Sequence, residues 1–278
     1  MSTATPSGDT GSRPIDEALT CPPGPSASVA DVTDPLAPLL DLADVAAAMQ
    51  QAGEAVDAAL RHRALRRHGG LVAAEVSLHA AVASAALEGA THDIADVRAG
   101  TVTDPLLQGA LRAAQAVTGL TDQWGRAPRQ VLARLHMLAG RGVVAEDELG
   151  RPTADPMIAG RLDALAALVT GGTRVPPAVL AAVVHGELLA LRPFAGPSGV
   201  VARAAARLVL VSAGLDPRGV IAIEVGHQQR EPEYVGAAGA FATGTPDGLR
   251  SWLRHYAAAL SAGADQLTVI ADDVLART

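Results

Sequence analysis

Residues 188–210 read LLALRPFAGPSGVVARAAARLVL. An apolar helical run ends at Arg192-Pro193-Phe194, a Gly196-Pro197-Ser198-Gly199 turn follows, and a second apolar helix begins at once. The first N–H groups of a helix have no partner inside it, and its aligned peptide dipoles make that end positive. Such a terminus suits an anion, and Arg203, in the first turns of the second helix, is placed to close on a phosphate. A plain helix start after a Gly/Pro/Ser turn is the other reading of the same residues.

Outward from this loop the pattern is helical. Apolar positions recur at three- and four-residue spacing over 41–66, 70–88, 104–119 and 127–139. The same spacing continues over 158–170, 177–190 and 199–213, and from Pro246 to about Ala276. Pro128 and the Pro176-Pro177 pair are start signals, and Gly140 is a stop. Arg61, Arg63, Arg66 and Arg67 close the first of these helices, where the negative dipole end favours cations. Residues 141–157 break the rhythm with Gly150, Pro152 and Pro156, which predicts a short hairpin or an irregular flap. RGVIAIEVG, residues 218–226, alternates weakly and predicts a strand or an extended connection. Residues 1–36, rich in Ser, Thr, Pro, Gly and Asp, read as a disordered tail. The fold expected is all-α with one small β-hairpin.

Composition agrees with helices. Of the 278 residues 49% are hydrophobic but only 2% aromatic, so the core must be built from Ala, Leu and Val. Alanine is the best helix former and a poor strand residue. All 22 basic residues are arginine, which excludes a Schiff-base lysine and a P-loop lysine. A net charge of −7 argues against a general nucleic-acid binder. Cys21 is the single cysteine, so neither an intramolecular disulfide nor a cysteine-based metal site is possible. His62, His68, His79, His92, His136, His227 and His255 show no HExxH or other metal-ligand spacing, and most are expected at the surface or partly buried with local partners. GxGxxG and GxSxG are both missing, which removes the dinucleotide fingerprint and the hydrolase elbow. With no run of eighteen apolar residues and no charged-then-apolar leader, a cytoplasmic protein without a membrane partner is expected.

Residues 185–203 resemble the signature of the Fic (fido) family, which transfers AMP or related phosphoryl-containing groups to protein hydroxyls. The family pattern is His, any, Phe, any, Asp or Glu, Gly, Asn, Gly or Lys, Arg, two of any kind, then Arg, with another histidine seven residues before the first. His185, Pro193, Phe194, Gly199 and Arg203 match it without a gap. Five positions depart from it. The family's general base is Arg192 here, its metal-binding acid Gly196, its glycine Pro197, its asparagine Ser198, and its first phosphate-binding arginine Val200. A guanidinium stays protonated at any cellular pH and cannot act as a base. Gly196 offers no carboxylate to Mg²⁺, Pro197 no N–H, and Val200 no charge. His185 stands about 10 Å along the helix from Arg192, too far to replace the base.

SAALEG, residues 84–89, resembles the family's inhibitory-helix motif: Ser or Thr, three residues, Glu, then Gly or Asn. The resemblance implies that Ser84, Glu88 and Gly89 form this element, and that Glu88 reaches into the nucleotide site to pair with Arg203. A solvated glutamate before a glycine C-cap is the alternative. VLARLHMLAGRG (131–142) and ELGRPT (148–153) resemble the helix and flap that hold the target segment, so a protein target is expected at 148–157. The resemblance covers roughly residues 70–260. It implies N-terminal helices over 37–100 and a Fic-like core with C-terminal helices over 101–278.

The site residues it implies are Arg192 at the base position and Ser198, Gly199 and Arg203 on the nucleotide or anion. No residue is assigned to a metal, and ATP with Mg²⁺ is the cofactor only if the family activity is retained. EVGHQQREPEY (224–234) is the densest polar cluster outside the loop, expected as a solvated connection or as pocket lining with Tyr234 available for stacking. Two functions follow as expectations. One is a degenerate Fic-like protein that binds an anion in a regulatory or interaction role. The other is a working adenylyltransferase with altered chemistry.

Overall fold

The computed structural model describes residues 34–278; of the tail expected over 1–36, residues 1–33 lie outside the described residues, while Asp34 is held by accepting from Thr173 Oγ1 at 2.7 Å. Twelve α-helices run through them: α1 (Val45–Leu60), α2 (Ala64–Arg67), α3 (Gly69–Ala86), α4 (Ile94–Arg98), α5 (Pro105–Trp124) and α6 (Pro128–Gly140). After the flap come α7 (Pro156–Ala167), α8 (Pro177–Leu191), α9 (Ser198–Ser212), α10 (Ile223–Gln229), α11 (Glu231–Phe241) and α12 (Pro246–Arg277). Sequence sets many of these boundaries. Proline opens α5, α6, α7, α8 and α12, where its missing N–H would be unpaired anyway. The carboxylates of Asp93, Asp104 and Asp155 cap α4, α5 and α7 by accepting backbone N–H bonds at 2.7–2.9 Å.

The centre of the fold is the α8–α9 hairpin. Thirteen of the fifteen residues of α9 are buried, and α8 is apolar around most of its circumference, as expected of core helices. α3 and α6 pack beside α9, as does α5, which crosses α6 where a Cβ at Gly109 would collide with the Ala139 carbonyl. α12 runs along α1, α10 and α11. Among the described residues α3 is the one helix long and apolar enough on average to cross a membrane, but it carries Glu75 and His79 and packs on α5, α10 and α12. Because α9 is enveloped, its two arginines, Arg203 and Arg207, are buried as well. A buried guanidinium is costly unless its donors are satisfied, so the partners of Arg203 and Arg207 become the question the fold poses.

Three local expectations need correction. The helix read over 41–66 is broken: a 3₁₀ turn covers Ala37–Asp41, α1 starts at Val45, and the chain turns at Arg61–Arg63 before α2. The hairpin expected in the flap is not formed, since residues 141–157 hold one isolated bridge, Arg141 to Val144, and one 3₁₀ turn, Glu146–Glu148. No strand forms over 218–226 either. There the Asp216 carboxylate accepts the N–H groups of Val220 and Ile221 at 3.0 and 2.8 Å, and α10 begins at Ile223. The β-branched run is extended only for a few residues because a buried carboxylate takes its amides.

Candidate functional site

The loop between α8 and α9 turns through two left-handed residues. Arg192 caps α8 at φ 44°, an uncommon conformation for a residue with a Cβ, and its side chain is exposed. Gly196 has φ 63°, a region that glycine enters at no steric cost. The Ser198 N–H then donates to the Gly196 carbonyl at 2.7 Å, and α9 starts with no side chain capping it.

The flap is tied to this loop at three points. The Thr153 N–H donates to the Pro193 carbonyl at 2.8 Å. His136 of α6 bridges the two segments: its Nδ1 accepts the Gly150 N–H at 3.0 Å, which leaves Nε2 to donate to the Ala195 carbonyl at 2.9 Å. Its ring stacks on Phe194, centroids 4.7 Å apart. Burial holds the His136 pKa below the ordinary value, which keeps the neutral form this bridge requires. At the third point the Val144 side chain fills the space beside Gly196, where any Cβ would collide with it.

Arg203 is held in a cage. Its Nε donates to Ser84 Oγ at 2.9 Å and its Nη2 to the Ser84 carbonyl at 2.9 Å and to Glu88 Oε1 at 2.8 Å. Nη1 donates to the Tyr234 hydroxyl at 3.2 Å. Ser84 and Glu88 are four residues apart, so one turn at the end of α3 presents both toward Arg203. Gly89 ends that turn at φ 93°, and the Ala90 N–H bonds back to the Ala85 carbonyl at 3.0 Å, a glycine-capped helix end. The Glu88 carboxylate also lies against Gly199, where a Cβ would collide with it.

These groups line one cavity of about 410 Å³. Glu88, Arg192, Ser198, Gly199, Arg203 and Tyr234 form its polar end, and Leu87, Leu189, Val235 and Ala238 its apolar side. Ser198 Oγ is buried and has no hydrogen-bond partner. Thus the structure brings Arg192, Ser198, Gly199, Arg203, Ser84 and Glu88, with Gly89 beside them, to one place. Arg192 makes no ion pair among the described residues, and Glu88 pairs with Arg203. Val200 is absorbed in the core. A larger cavity, about 720 Å³, lies between α3, α4, α5 and the end of α12. It contains none of these residues, so the chemistry points to the smaller one.

Behind the cavity lies a buried polar cluster that sequence spacing did not reveal. His185 Nε2 is 3.0 Å from the Tyr234 hydroxyl, and His227 Nδ1 is 3.0 Å from His255 Nε2. All three histidines are buried, His227 and His255 more deeply than expected, and the stretch 224–234 is helical, not a solvated connection. Burial, with the nearby Arg203 charge, holds the His185 pKa well below its ordinary value. Arg207 of α9 donates to the Gly219 carbonyl at 2.9 Å and faces Glu224 at 3.8 Å. Tyr234, offered by the sequence as pocket lining, does line the cavity. Its phenol, kept neutral by burial, joins Arg203 to His185.

No protein-family model and no curated protein match the chain. Solved structures do. A Fic-1 structure from C. elegans is similar at TM-score 0.66 and 18% identity, over 85% of this chain and 75% of that one. A Fic family protein from Desulfovibrio desulfuricans is similar at TM-score 0.65 and 19% identity, over 84% of this chain and 74% of that one. At this identity the likeness is one of architecture alone, an all-helical fold. The chain has the Fic fold.

Proposed function

We propose that this chain is a Fic-like protein whose cavity binds a nucleotide or another phosphate-bearing anion, in a regulatory or interaction role and without ordinary AMP transfer. The observation that carries the reading is the polar end of the 410 Å³ cavity, where Arg192, Arg203 and the unpartnered Ser198 Oγ converge on the start of α9. The absence of transfer rests on chemistry. The base position holds an arginine, His185 is sealed behind Tyr234, and Glu88 is the one carboxylate lining the cavity. Glu88 would act as the inhibitory glutamate of the family does, since its carboxylate lies over Gly199, where an incoming phosphate would meet the helix. The flap at 148–157 is the surface for a protein target, in the cytoplasm.

Thermal melting tests this reading. ATP should raise the midpoint of the wild-type protein slightly and that of Glu88→Gly protein more, because ligand bound only to the folded state stabilises it. No rise in either protein would overturn the reading. A second reading, an adenylyltransferase with altered chemistry, draws its support from the retained Glu88–Arg203 pair. An inhibitory contact is redundant on a site that has nothing to inhibit.

A further inference from the structure

The fold leads one to expect ATP held together with a divalent cation, and the residues present do not suit such a cation. Mg²⁺ and Ca²⁺ take oxygen ligands, chiefly carboxylates and carbonyls. At the loop position where a carboxylate is expected stands Gly196, with left-handed backbone at φ 63°. The room for a side chain there is not vacant, because Val144 of the flap fills it with methyl groups. Glu88 is the one carboxylate lining the cavity, and its Oε1 already accepts from Arg203 at 2.8 Å.

What the cavity offers in place of a metal is positive charge and donors. Arg192 lines it without an ion pair among the described residues, and Arg203 lies below. Ser198 Oγ, on a residue 3% exposed, has no partner and sits at the uncapped start of α9. A cation bound to a polyphosphate withdraws charge from the oxygens that such donors would grip. We infer that the cavity takes a phosphate group in its metal-free form, with Arg192 neutralising it and Ser198 Oγ and the first turn of α9 donating hydrogen bonds to it. The inference rests on the anion-binding reading above and goes beyond it, since a nucleotide site could equally require Mg²⁺.

The test is calorimetric titration of the whole chain with ATP, once in excess EDTA and once in excess MgCl₂. Glu88→Gly and Glu88→Gln proteins are titrated beside the wild type, so that loss of one variant to misfolding leaves a measurement. Binding should be several-fold tighter in EDTA, and Arg192→Ala should weaken the EDTA binding several-fold. Tighter binding in MgCl₂ than in EDTA overturns the metal-free inference while leaving anion binding intact. Binding unaffected by Arg192→Ala overturns it too, by placing ATP elsewhere. No binding in either medium, by protein with native circular dichroism, overturns the anion-binding reading itself.

Discussion

The carboxylate of Glu88 lies against the bare Cα of Gly199, with Arg203 Nη2 2.8 Å from its Oε1. This one contact joins the end of α3 to the first turn of α9. On the proposed reading it also puts a negative group where the anion would bind, so Glu88 would compete with a phosphate. Arg203 keeps its hydrogen bonds to Ser84 and Tyr234 when Glu88 leaves, but its buried charge then needs another anion opposite it.

That division of labour is measurable. Ser84→Ala removes the acceptor of Arg203 Nε deep in the core and should cost about 1–3 kcal/mol of unfolding free energy. Glu88 is partly exposed, so Glu88→Gln, which retains an acceptor amide oxygen, should cost less. Urea denaturation midpoints check both. A larger loss for Glu88→Gln than for Ser84→Ala would mean that the ion pair, and not the serine, holds α3 on α9.

A side chain at Gly196 has to displace Val144. Gly196→Asp should therefore lower stability by about 1–3 kcal/mol through overpacking and loosen the flap. Combining it with Val144→Ala should recover part of that loss. Thermal melts and limited proteolysis at 141–157 report the two effects. A Gly196→Asp protein as stable and protease-resistant as the wild type would mean that the flap yields freely.

Low pH should weaken the fold. His185 and His227 are buried and their pKa values are held well below the ordinary value, chiefly by burial; that of His136 is lowered for the same reason, and that of His255 falls to about 4. A group with a depressed folded pKa contributes stability that is fully present above its unfolded value. For His255 that contribution is lost as pH falls from 6.5 toward about 4. Thermal midpoints should hold steady above neutrality and drop across this window. His136→Gln, with an amide able to donate and accept, should flatten part of the drop. A midpoint independent of pH down to about 4 would contradict the buried neutral cluster.

Much of this architecture is visible in the residues themselves. The helices are readable because apolar spacing and prolines at first helical positions are local signals, and Pro128, Pro177 and Pro246 mark their helices correctly. The run at 218–226 misleads because its β-branched residues are buried around the Asp216 carboxylate, a contact that no spacing announces. Glu88 and Arg203 are linked in sequence only by resemblance, 115 residues apart. Val144 against Gly196, and the His185–Tyr234–Arg203 chain, arise from packing between distant helices and the flap. Such contacts are set by tertiary geometry and leave no periodic trace.

The most direct test of the account is a transfer assay on Glu88→Gly protein with Mg²⁺, α-labelled ATP and an extract of its own host. With the carboxylate gone and no base at Arg192, the account predicts no label on any protein, from a sample shown to be folded and to bind ATP. Label that appears on a protein and disappears in the Arg203→Ala variant would contradict it. The chain would then be a transferase, with its base outside the position that Arg192 occupies.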